Sequence, residues 1–136
     1  MATVPAPVFT YKHKGVPFKP YVVELFTPAG VNILRDAPED HKHHHGLMFA
    51  WRVDGVNFWE EHGEPGREEQ RDLSRGRINR GDGPAGEEVS GSVRWLAYGT
   101  GETLLLETRT ISAAPAGESG PNVLTWRAAF SPPPAK

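Results

Sequence analysis

Four of the six histidines fall within five positions, in Asp40-His41-Lys42-His43-His44-His45-Gly46, and the apolar run Leu47-Met48-Phe49-Ala50-Trp51 follows at once. Histidine serves both as a metal ligand and as a proton shuttle near neutral pH. The cluster is internal and interrupted, unlike an expression tag. If the chain from His43 to Trp51 is extended, alternation sets His43, His45, Leu47, Phe49 and Trp51 on one face, with His44, Met48, Ala50 and Arg52 on the other. His43 and His45 then converge, and His41 reaches in from the loop. Two chemistries fit. In the first, His43, His44 and His45 are catalytic groups at a pocket rim, moving a proton or orienting a substrate without a cofactor. In the second, His41, His43 and His45 hold a divalent metal for redox or hydrolytic work, with a carboxylate from Asp36, Glu39, Asp40 or Glu60. No HExxH or CxxC pattern is present, so the residues name no particular metal. A third reading makes the domain an inert interaction module whose imidazoles cap turns and face solvent.

Other residues suit a small-molecule pocket. Trp51, Phe58 and Trp59 surround Asp54-Gly55, with Asn57 between them. Aromatic faces beside amide and guanidinium donors match sugar rings, which are apolar on their faces and hydroxylated at their rims. Arg35, just before the histidine loop, and Arg77 each offer a planar fork for a substrate oxygen. The expected substrate-binding set is therefore Arg35, Trp59, Asn57 and Arg77, with Trp95 and Trp126 in the core.

Composition bounds these readings. The chain has 136 residues and a net charge of −2, which gives no reason to expect a nucleic acid or an anionic membrane as partner. With no cysteine, disulfides, thiolate ligands and a cysteine nucleophile are excluded. The longest apolar run, Leu47 to Trp51, is far short of the ~20 residues a spanning helix needs. No secretory leader is visible at the first residues, so a cytoplasmic location is expected.

The elements that must position these residues read as strands. Tyr21 to Phe26 is a strand, Thr27-Pro28-Ala29-Gly30 a turn, and Val31 to Leu34 pairs back. Asp36 to His45 is a polar loop. Leu47 to Val53 and Val56 to Trp59 form a hairpin about Asp54-Gly55, a pair suited to a type I′ turn. Glu60 to Ser74 reads as a solvated, charge-rich surface loop; the alternative is a loop that folds over a site and contributes His62 or Arg67. Gly76 to Arg80 is a short strand, followed by a turn at 81–86. Glu87 to Tyr98 and Thr103 to Ile111 form a second hairpin, and Ala113 to Gly120 a loop. Val123 to Phe130 is the last strand, with Leu124, Trp126 and Phe130 on one face. The proline run at Pro132-Pro133-Pro134 cannot extend it. The expected fold is an all-β antiparallel sandwich with little or no helix.

Several of these segments together resemble a known family. Lys19-Pro20-Tyr21, Thr27-Pro28-Ala29-Gly30, Arg35-Asp36-Ala37-Pro38, the histidine run, Asn57-Phe58-Trp59 and Gly76-Arg77-Ile78 occur in the order of the soluble PmoA-like family of bacterial proteins. The resemblance covers about residues 18 to 80. It implies a galactose-mutarotase-like supersandwich, a carbohydrate ligand and a role in carbohydrate use. Family domains are roughly twice as long. Residues 1–136 would then be one partial sandwich, without the later strands that carry a carboxylate base, and a homodimer would cover its open sheet.

Overall fold

A computed structural model describes residues 7–78, 85–116 and 120–134. The fold is all-β and antiparallel, with no helix among the described residues. The strands are β1 (Phe9–Lys12), β2 (Tyr21–Leu25), β3 (Arg52–Val53), β4 (Val56–Asn57), β5 (Arg67–Gln70), β6 (Ser74–Ile78), β7 (Gly86–Leu96), β8 (Thr103–Ala114) and β9 (Val123–Ser131). The main sheet runs β5-β7-β8-β9, and β6 joins the same side of β7 further along. The long hairpin β7–β8 is its spine, and β1 pairs with β2 as a second, smaller layer.

Alternation explains the layering. On β9, Leu124, Trp126, Ala128 and Phe130 turn inward while the residues between them are exposed. On β8, Glu107, Arg109, Ile111 and Ala113 are buried. Val8, Phe9, Tyr11 and Val22 pack on Val89, Ile111 and Ala113. A second cluster joins Phe58, Val93 and Trp95 to Phe49, Leu105 and Phe130. These two clusters bury the inner face of the main sheet and fix where the connecting loops leave it.

An ion pair lies inside this core. Arg109 Nε and Nη2 donate to both oxygens of Glu107 at 2.7 and 2.8 Å, and Nη2 also donates to Glu68 Oε1 at 2.9 Å. Nη1 donates to Tyr11 Oη at 3.1 Å, and Trp126 stacks on the guanidinium at 4.7 Å. Trp95 Nε1 donates to Glu107 at 2.9 Å. Two carboxyl groups thus face this one guanidinium. Burial pushes the Glu68 carboxyl up to about 8, against the opposing pull of Arg109.

The structure corrects several expectations. The Glu60 to Ser74 segment is not one loop, since it holds β5 and the start of β6. The sequence Arg-Glu-Glu-Gln reads as polar surface, yet Glu68 is buried because Arg109 waits for it. Leu47 to Val53 is not a continuous strand. Leu47 bridges Val22, and ladder pairing resumes only at β3. Val31 to Leu34 pairs back through a single bridge from Asn32 to Phe26. β8 continues to Ala114, past the expected end. β1 is an additional strand, tied in by the buried Phe9 and Tyr11. Both turn residues Asp54 and Gly55 have positive φ, as a type I′ hairpin requires. Of the turn expected at 81–86, residues 81–84 lie outside the described residues, as do 79 and 80 of the strand before it.

Glu68 supplies a pH test. The folded protein holds a proton there up to about 8, whereas the unfolded chain releases it near 4.5. Stability from this group is therefore complete below the lower value and falls as pH rises through the window. Denaturant melts at pH 5 and pH 8 should show a loss of stability at pH 8. Glu68→Gln should flatten that difference while keeping the acceptor for Arg109.

Candidate functional site

The histidine loop hangs between two backbone closures. Asp36 and His45 form an isolated antiparallel bridge, Ala37 N donates to His44 O at 2.8 Å, and Gly46 N donates to Arg35 O at 3.1 Å. Within the loop, His41 N donates to Pro38 O at 2.9 Å and His44 N to His41 O at 3.0 Å. These are consecutive turns, so the extended chain expected from His43 to Trp51 does not form. Gly46, at φ 36°, lets the chain leave the loop against β2. A Cβ there would run into the Val22 carbonyl, so a side chain is excluded.

The turn divides the histidines differently from a strand. His43 and His45 do not converge. His45 Nδ1 meets Asp36 Oδ1 at 2.9 Å, and Nε2 meets Glu61 Oε1 at 2.8 Å and Oε2 at 3.0 Å. Lys19 Nζ, almost fully buried, donates to Glu61 Oε2 at 2.6 Å. Tyr21 Oη donates to Asp36 Oδ2 at 3.0 Å, and its ring lies 4.7 Å from that of His45. Burial, then the Asp36 contact, raises the Tyr21 hydroxyl and keeps it a donor. Both ring nitrogens of His45 are engaged by carboxylates. The ligand set His41, His43 and His45 is therefore corrected, because His45 has no nitrogen to offer.

The other three histidines meet. His41, His43 and His44 each offer a ring nitrogen, and these atoms lie within 4.8 Å of one another. The His41 and His44 rings stack at 4.6 Å, and His43 stands edge-on to His44 at 4.4 Å. Loss of solvent, then the neighbouring His43 and His41, lowers the pKa of His44 and favours its neutral form. Trp59 stands 5.5 Å from His44 and 6.1 Å from His43, and is 40% exposed. Asp40 Oδ2 lies 3.9 Å from His41 Nε2.

The expected substrate residues fare unequally. Trp59 borders the imidazole group. Asn57 acts behind it: its Oδ1 accepts from Trp59 N at 2.9 Å and Glu60 N at 3.2 Å, which fixes the turn that presents the indole. Glu60 in turn holds His62 at 2.8 Å, and that bond lowers its pKa. Arg35 is exposed beside Asp36. Arg77 is not brought into this group. It lines a cleft with Phe9, Arg75 and Glu88 that contains no histidine. Arg67 pairs with Glu69 and borders a cleft of about 480 Å³ with Phe18, Glu61, Pro65 and Tyr98. Trp51, 47% exposed, packs on Phe49 and Phe130 at the sheet margin, while Phe58 is core.

Sequence reasoning missed Glu61 as a partner of His45 and Lys19 as the partner of Glu61. Both are ordinary surface types in composition, and only the meeting of distant segments pairs them. The division of labour predicts unequal mutational costs. His45→Ala should destabilise by about 1.5–3 kcal/mol, because it removes the hydrogen bonds that tie the loop to Asp36 and to the partly buried Glu61. His43→Ala should cost less, no more than about 1 kcal/mol, since it trims a half-buried ring at the loop's tip. Urea denaturation of the two variants beside the native chain measures the contrast.

The chain matches no curated protein and no solved structure. Residues 5–135 match the model of a family of unknown function, DUF6807. Because that match spans nearly the whole chain, the protein belongs to DUF6807.

Proposed function

We propose that the domain binds a carbohydrate-related ligand on the face made by Trp59, His43 and His44. The observation that carries this reading is the exposed indole held among polar groups. Trp59 is 40% exposed although an indole gains by burial, and two imidazoles stand within about 6 Å of it. Asn57 and Glu60 fix its turn from behind. A flat apolar surface rimmed by donors and acceptors complements a pyranose ring. The order of motifs shared with the PmoA-like family, and the mutarotase-like sandwich it implies, point the same way.

A homodimer belongs to the same reading. Among the described residues β9 pairs only with β8, which leaves one side of a nine-residue strand open. Light scattering should give twice the mass of the chain. A monomer that binds no hydrophobic dye would contradict it.

A panel of mono- and oligosaccharides, read by tryptophan fluorescence and calorimetry, tests the main claim. At least one sugar should bind, and Trp59→Ala should weaken it by about tenfold, the loss of roughly 1.4 kcal/mol of stacking. A panel without a binder, or full affinity in Trp59→Ala, would overturn the reading and leave the interaction module.

A further inference from the structure

We propose that His41, His43 and His44 form a site for one divalent transition-metal ion, such as zinc, with the remaining coordination left to solvent or ligand. The proposal does not depend on the sugar reading, because its probe is the metal alone.

The argument begins with the backbone. Two consecutive turns, at Pro38–His41 and His41–His44, place all three side chains on one short segment. The loop is closed at its base by the Asp36–His45 bridge and by the Ala37 and Gly46 amides. Gathering the ligands therefore orders little additional chain, which lowers the entropic cost of binding. The three donor atoms already lie within 4.8 Å of one another. A tetrahedral zinc with Zn–N of about 2.0–2.1 Å sets its nitrogens roughly 3.3 Å apart. Side-chain rotation covers that difference, since His41 is 55% exposed and His43 and His44 are half-buried.

The surroundings favour a cation of this class. The Asp40 carboxylate, 3.9 Å from His41, adds negative charge beside the site. An all-nitrogen donor set suits zinc, cobalt, nickel or copper and not magnesium or calcium, which take oxygen ligands. His45 is excluded by its two carboxylates, and His62 is held by Glu60. Three protein ligands with an open position match accessible metal centres and not closed structural ones.

The test uses the full chain stripped with a chelator. Calorimetric titration with zinc chloride should give one ion per chain with Kd of about 1 μM or tighter. Cobalt should give the visible absorption of a low-symmetry nitrogen site. His43→Ala and His44→Ala should each weaken zinc by about tenfold or more, with unchanged circular dichroism. His13→Ala, just past the end of β1, serves as the control and should bind as the native chain does. Millimolar magnesium should not compete. Absence of saturable one-to-one binding, or binding that survives His43→Ala and His44→Ala, would overturn the proposal. So would an equal loss in His13→Ala.

Discussion

Placing a guanidinium inside a thin β-domain is the constraint on which the rest depends. Arg109 contacts or stacks on side chains from β1, β5, β8 and β9, and its partner Glu107 accepts from Trp95 of β7. A buried ion pair adds little net stability over an apolar substitute, but losing one partner is costly. Here it joins strands remote in sequence. Tyr11 and Arg109 are 98 positions apart, so the small layer cannot slide on the main sheet without breaking a buried hydrogen bond to the guanidinium. The raised Glu68 carboxyl follows from the same arrangement, because burial disfavours its charged form more than Arg109 favours it.

A second polar chain extends this logic to the surface. Lys19, Glu61, His45 and Asp36 are bonded in series, and Tyr21 ends it. Pro20, between Lys19 and Tyr21, gives its carbonyl to Arg109 at 3.4 Å, so the buried cluster and the histidine loop share one short segment. The loop is thus fixed at His45 and presents its neighbours. A single run of histidines serves two ends, one ring anchoring the loop and three meeting at its tip beside Trp59.

Much of the fold was legible from sequence. The β7–β8 hairpin, β9 with its alternating Leu124, Trp126 and Phe130, and the Asp54-Gly55 turn all follow from period-two patterning and turn chemistry. β5 was not, because hydrophobic alternation cannot reveal a strand whose buried residue is Glu68. Its partner lies 41 positions away. The site was legible in part. That the histidine run, Trp59 and Asn57 fall in one neighbourhood could be read, but the pairing of His43 with His45 could not survive. Strand periodicity was extended backwards through residues that form two turns, and the Gly46 that ends them gives no sign of which ring faces inward. Arg77 shows the opposite failure: proximity in a motif series did not become proximity in space.

The central claim is that this loop splits four neighbouring histidines into one anchored ring and three that converge. Crystals soaked in zinc and measured at the zinc absorption edge test it directly. The account predicts one anomalous peak about 2.1 Å from nitrogens of His41, His43 and His44, with His45 still between Asp36 and Glu61. A peak on His45, or three rings dispersed with no shared ion, would contradict it.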